Sequence, residues 1–260
     1  MGDAIMLHRV KTRIPKFTYT GNYQFIDDGS GNWRIKFLSS GTLTFTSLGN
    51  ARKGIDVFLV GGGGGGAEIY LGALWARSGG GSGYVTTVKD GSIVPVKGTG
   101  YGITIGAGGK YDNSGSPVSP TTSRSRGDNG GTTSAFGKTA AGGRYGESSY
   151  TNDSSLSIYK VGAVGGNGAS GGGANAYGSG SWPGGYNGAD GTAIMHTSSD
   201  STATAGKGVG TNPGTSEFGE GVTYYARGGG SGTGNIANSG NGGRHNLNGS
   251  SGIVVIRNHR

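Results

Sequence analysis

No cysteine occurs among the 260 residues, so disulfides and thiolate metal sites are unavailable, and rigidity must come from packing and backbone hydrogen bonds. Long apolar runs are missing too: charge or glycine interrupts every hydrophobic stretch well short of the ~20 residues a membrane helix needs, and no membrane insertion is expected. The first ten residues hold an early Asp3 and no apolar stretch of signal-peptide length, so synthesis in a cytoplasm is expected, with export, if any, by another route. No segment carries the 3.6-residue period of a useful amphipathic helix. Acidic residues are few, 14 against 22 Lys and Arg, for a net charge of +8. Much of the excess lies near the ends, at Arg9, Lys11, Arg13, Lys16, Arg257 and Arg260. The other cations are scattered and no helix gathers them, so nucleic acid is not expected; an acidic docking partner or a solvated face fits better.

What the chain has in abundance is glycine. Its 62 Gly and 6 Pro make 68 of 260 positions, about 26 %, a level that by itself reads as low complexity and disorder. The segments framing the glycine argue otherwise. Trp33, Ile35 and Phe37 alternate with Arg34 and Lys36, and Leu43 and Phe45 alternate with threonines, which is the period of half-buried strands. Residues 17–20 and 23–26 read as further strands, 27–32 as a turn, and 55–60 as a strand buried on both faces because it is continuously apolar. Short strand-like pieces recur at 84–88, 101–105 and 222–225, and the terminal run 252–257 is expected to pair back into the first sheet.

Four regions follow: a docking segment at 1–16, a strand base at 17–60, a glycine-rich region at 61–249, and a closing strand at 250–260. The glycine runs, among them 61–66, 78–83, 106–109, 165–173 and 228–232, have no fixed period. Polyproline II geometry rises about 3.1 Å per residue with three residues per turn, so six residues extend roughly 19 Å. Such a strand has no internal hydrogen bonds; bare backbones packed side by side can satisfy one another provided that no side chain holds them apart. Collagen needs glycine only at its axis, whereas a strand with neighbours all round needs it at most positions. Each ordered residue costs on the order of 1–2 kcal/mol against about 0.5–1.5 kcal/mol net per hydrogen bond, so the bundle should depend on the apolar strands beneath it. The fold class expected is all-β: an antiparallel base, a bundle of polyglycine II helices, long polar loops, and essentially no α-helix.

Several local patterns fail on inspection. Gly137-Lys138-Thr139 resembles the end of a phosphate-binding loop, but Thr132 stands where that motif needs glycine and no helix begins after it. Arg126-Gly127-Asp128 is short enough to arise by chance. Asp27, Asp28 and Asn32 lack the following bidentate Glu of a calcium loop and suit a hairpin turn. Four His and the thinly spread acids show no catalytic spacing. No catalytic residue, metal ligand or cofactor is therefore expected, and the protein is read as not an enzyme.

The ordered motifs carry a family resemblance. They are residues 57–66 (Val-Phe-Leu-Val and six glycines), 83–88 (Gly-Tyr-Val-Thr-Thr-Val), 103–109 (Ile-Thr-Ile-Gly-Ala-Gly-Gly), 130–137, 215–220 (Thr-Ser-Glu-Phe-Gly-Glu) and 251–257 (Ser-Gly-Ile-Val-Val-Ile-Arg). The chain resembles, from about Phe17 onward, the glycine-rich domain proteins of tailed bacteriophages and prophages, and is similar to the distal adhesins of T-even-like phages, which carry polyglycine II bundles with receptor-binding loops. Its first residues do not look like those adhesins' fibre-attachment domain. The block at 228–230 is short and that at 241–244 is broken by charge, which leaves open whether the bundle is complete toward the C-terminus.

That resemblance implies a virion tail-fibre tip or receptor-binding protein that recognises a bacterial surface glycan or protein, joined to other fibre or baseplate proteins through its N-terminal segment. Family analogy implies a homotrimer or a cap on a trimeric fibre. A purely structural fibre component and a polysaccharide depolymerase are the alternatives. The display inserts are 67–77, 110–129, 144–160, 177–205 and 235–248, rich in Ser, Asn, Thr, Gly and aromatic rings as paratopes are. Candidate receptor contacts are Trp75, Tyr111, Tyr145, Tyr150, Tyr159, Trp182, Tyr186 and His196; the competing role for each ring is to cover the flank of the bundle.

Overall fold

The computed structural model describes residues 13–71, 74–114, 116–119, 122–153, 158–164, 168–169, 174–177, 194–197, 215–221, 224–229 and 236–260. In chain order the strands are β1 (Lys16–Tyr19), β2 (Tyr23–Gly29), β3 (Asn32–Phe37), β4 (Gly41–Ser47), β5 (Ile55–Val60), β6 (Ala67–Leu71), β7 (Leu74–Ser78), β8 (Val85–Ile93) and β9 (Gly100–Thr104). They continue as β10 (Ser116–Ser119), β11 (Thr122–Arg126), β12 (Thr133–Ala135), β13 (Lys138–Ala140), β14 (Glu147–Asp153), β15 (Ile158–Val164), β16 (Ala174–Tyr177), β17 (Ile194–Thr197) and β18 (Ile253–Asn258). Among the described residues the only helices are two short 3-10 turns, Gly49–Lys53 and Glu217–Gly219, and the fold is all-β.

Two five-stranded sheets form the base, in the orders β1-β4-β9-β12-β13 and β2-β3-β18-β5-β8. Their facing sides share one core. Trp33, Ile35 and Phe37 of β3, Val57 and Leu59 of β5, and Val254 and Ile256 of β18 meet Leu43 and Phe45 of β4, Ile103 and Ala135. The opposite side of the second sheet holds a smaller core, where Phe58, Val60, Ile253 and Val255 pack under Phe218, Tyr225 and Ala226. Strands β5 and β18 are therefore apolar on both faces and buried throughout, as a strand with cover on each side must be. The terminal strand does return to the base: it lies between β3 and β5, with Val254 opposite both Phe37 and Leu59.

Arg34 and Lys36 alternate with the core residues of β3, which suggests a solvated face. Instead Glu217, 3 % exposed, sits over that face and pairs with both cations, Arg34 Nη1 lying 2.5 Å from Glu217 Oε2. The Tyr225 hydroxyl donates to the same carboxylate. Burial pushes the Glu217 carboxyl up, but the hydrogen bonds from Lys36, Tyr225 and Arg34 outweigh it and hold the group below the usual carboxylate range. Of the strand expected at 222–225, residues 222–223 lie outside the described residues, and Tyr225 forms a single antiparallel bridge to Thr215.

Candidate functional site: the glycine bundle and its distal end

The bundle begins where the base strands end. Strand β5 runs into residues 61–66, six glycines with no side chain to pack and, in an isolated strand, no hydrogen-bond partner. Every one of their N–H groups donates to another segment. Gly61 and Gly64 bond to the carbonyls of Tyr84 and Gly81, Gly62 and Gly65 to those of Gly131 and Asp128, and Gly63 and Gly66 to those of Ser250 and Leu247, at 2.8–3.2 Å. Each partner is thus revisited every third residue, the period of a threefold left-handed rod, and each descends in number as the central rod ascends, so these three neighbours are antiparallel.

Carbonyls of the same rod accept from three others. Gly109 and Asp112 donate to Gly63 and Gly66, Gly143 and Gly146 to Gly62 and Gly65, and Gly243 to Gly64. Those three run parallel. Six rods thus surround one, the lattice that bare backbones can make and substituted ones cannot. A Cβ built at any position from Gly61 to Gly66 would lie 1.8–2.0 Å from a carbonyl oxygen of a parallel rod, so the hydrogen in its place points at that oxygen in a weak Cα–H···O contact.

Outer rods tolerate side chains on their solvent side. Ala107 and Lys110 are exposed, as are Ala141 and Arg144, each pair three residues apart. Residues 240–244 and 247–250 belong to the lattice despite their interruptions. Asn241 is buried in the lattice, where its side-chain oxygen accepts from the Arg227 N–H at 2.9 Å and its carbonyl accepts from Ser250. Gly229 and Gly242 extend the lattice through bonds to Gly80 and Arg227.

The rods run between the base and one distal end, where 61–66, 106–112 and 141–146 lead into strands and 240–244 turns back at 245–247 into 247–250. Three of the inserts expected to be loops, 67–77, 110–129 and 144–160, are strand pairs at their roots. Strand β6 pairs with β7, and β16 adds to β7; β10, β11, β14, β15 and β17 make a separate five-stranded sheet. Asp112 anchors one hairpin root. Its carboxylate accepts from the Arg126 N–H (2.9 Å), the Ser114 N–H (2.8 Å) and the Ser125 hydroxyl (3.2 Å), and its carbonyl accepts from Glu68. Burial raises the Asp112 carboxyl pKa, but those donors prevail and keep it below the usual range. His245, half-buried beside the same end, is held below its ordinary value by burial.

The eight candidate contacts separate into four groups. Tyr111 is 40 % exposed at the distal rim, its N–H bound to Asn248. Tyr145 is 9 % exposed: its ring lies 3.9 Å from the Arg126 guanidinium carbon and 5.3 Å from that of Arg144, and Arg126 also donates to its hydroxyl. It covers the bundle's flank. Trp75, Tyr150, Tyr159 and His196 lie on described strands: the register aligns Tyr70, Trp75 and Tyr177 in one cross-strand row and Tyr150, Val161 and His196 in another, with Tyr159 opposite Asn152. Trp182 and Tyr186 lie outside the described residues. Tyr70 and Tyr177 share the Trp75 row although only their insert, not their pairing, was legible in the sequence.

A family model described as "Glycine-rich domain" matches residues 38–259, which takes in every base strand after β3 and the whole bundle. No curated protein matches the chain.

Proposed function

From the premise that the chain belongs to the glycine-rich domain family, we propose that it is a receptor-binding protein at the tip of a bacteriophage tail fibre, recognising a glycan or protein on a bacterial surface. The observation that carries this reading is the polarity of the bundle: a central rod with all six N–H groups taken by its neighbours ties a sandwich at one end to a cluster of hairpins at the other. Preorganised display lowers the entropy lost when loops bind. The inserts between the hairpin strands hold Tyr, Trp, Ser, Asn and Gly in the proportions of a recognition surface, and the motif order resembles that of phage glycine-rich proteins. On this reading the base and the N-terminal segment attach to other tail proteins, as a trimer or as a cap on a trimeric fibre, and the protein works in the virion.

The test is binding of labelled protein to a panel of intact bacteria, wild type against Tyr111→Ala and against a chimera with a foreign insert at 178–193. Binding that the chimera loses or redirects supports the proposal. No strain bound above a denatured control, or host range unchanged by the chimera, would favour a purely structural fibre or baseplate component. Release of reducing sugar from the bound surface would favour a depolymerase.

A further inference from the structure

The pole of the base opposite the bundle contains a cavity of about 380 Å³ lined by Arg13, Arg52, Lys97, Ser47, Asn50 and neighbouring residues. Among the described residues, three cations and no acid line it. Its position follows from the strand directions: β5 and β9 both enter the bundle at their C-terminal ends, so the turn Gly49–Lys53 before β5 and the loop containing Lys97 before β9 sit at the far end. The walls are fixed. Asn50 accepts from Trp33 Nε1 at 2.6 Å, donates to the Gly31 carbonyl at 2.9 Å, and its N–H bonds to the Arg13 carbonyl at 2.8 Å. Arg13 lies tight against Gly31 and Gly49, where a Cβ would meet it at 2.6 and 2.4 Å, and its guanidinium reaches the Ser30 carbonyl at 3.3 Å. The loop before β9 is tied down by Gly98 N–H to the Phe45 carbonyl and Val96 N–H to the Tyr101 hydroxyl.

Arg52 and Lys97 have no ion-pair partner among the described residues. Elsewhere in the base the buried Arg257 is matched by Asp56 and Glu220, the half-buried Arg34 by Asp28 and Glu217, and the exposed Arg260 by Asp28. Lys16, opposite Ser47 in the sheet register, and Lys53 add charge beside the cavity. On the same loop as Lys97, Val94 and Val96 are 56 % and 60 % exposed.

We infer that this pole is a docking socket for an acidic segment of a partner protein, one whose carboxylates enter the Arg13–Arg52–Lys97 cavity and whose apolar side chains cover Val94 and Val96. Guanidinium forks match carboxylates in two parallel hydrogen bonds, and the flanking valines distinguish a peptide from a phosphate polymer, which has nothing apolar to set against them. The socket faces away from the hairpins, so a partner seated there leaves the distal end open. It does not rest on the receptor proposal, and the two fail by different assays.

The probes are a fluorescein-labelled peptide alternating Glu and Leu, the same peptide with Ser for Leu, and polyphosphate, titrated into the full chain by anisotropy at low and physiological salt. The Glu/Leu peptide is expected to bind. Arg52→Glu/Lys97→Glu should weaken it about tenfold or more, and Val94→Ser/Val96→Ser should weaken it toward the Glu/Ser peptide without affecting polyphosphate. All four substituted side chains are on the surface, so unchanged melting of the variants establishes that the loss is local. Absence of peptide binding at low salt, or the same affinity in the charge-reversed variant, would overturn the socket. Polyphosphate that binds more tightly than the Glu/Leu peptide, together with peptide binding that the Val94→Ser/Val96→Ser variant leaves unchanged, would reassign the pole to a phosphate polymer and overturn the protein partner.

Discussion

Replacing Gly64 by alanine adds one methyl group at the centre of the bundle. The new Cβ would lie 2.0 Å from the Arg144 carbonyl oxygen and 2.4 Å from its carbon, and because that neighbour is backbone held by its own bonds, no side chain can swing aside. Relief requires the rods to separate. Overpacking of a tight interior costs about 1–3 kcal/mol, and separation stretches the bonds from Gly64 to Gly81 and from Gly243 to Gly64, both 2.8 Å, at about 1–3 kcal/mol for each buried group left unsatisfied. Together these give about 3–9 kcal/mol, a large part of the ~5–15 kcal/mol that holds a domain folded. Gly102→Ala is the matched control: it is exposed, nothing lies within 4 Å of its Cβ position, and its backbone is not left-handed. That change should fall within about 0.5 kcal/mol of wild type or stabilise slightly. Urea unfolding followed by Trp fluorescence measures both. A loss under about 1 kcal/mol at Gly64 would refute the packed-rod reasoning.

Three further outcomes follow from the base. Deleting residues 253–260 removes the strand between β3 and β5 and one side of both cores; the truncated chain should show no cooperative melting, and melting at the full-length temperature would contradict the dependence of bundle on base. Phe58→Ala empties the second core under Phe218 and Tyr225 and should cost about 3–5 kcal/mol in denaturant unfolding. The folded pKa of Glu217 is depressed from 4.5, so its contribution is complete above about pH 4.5 and is lost as pH falls through the folded value. Glu217→Gln should therefore cost about 1–3 kcal/mol at pH 7 and leave a shallower loss on acidification, read from unfolding midpoints between pH 7 and pH 3.

Legibility in the sequence tracked the side chains. Strands β3, β4, β5 and β18 announce themselves through alternating or continuous apolar residues, and a run of six glycines points to a backbone that tolerates no Cβ. Which rods adjoin the central one was not legible, because glycine carries no pattern and the partners of 61–66 are spread from Gly81 to Ser250. The distal hairpins were missed for a related reason: β14, Glu-Ser-Ser-Tyr-Thr-Asn-Asp, is polar throughout and gives no period-two signal. Glu217 stood inside a recognised motif, yet the only clue that it is buried was an acid next to Phe218 facing two cations on β3, a match visible only once the chain is folded. Tyr145 looked like the other insert tyrosines, and its place between two arginines depends on rods that approach from separate parts of the chain.

Hydrogen exchange at the six amides of residues 61–66 tests the packed-backbone claim most directly. If each donates to a neighbouring rod as described, all six should exchange only through large openings of the molecule, with protection approaching that of strand β5. Exchange at the rate of an unstructured glycine peptide, while β5 stays protected, would contradict the account.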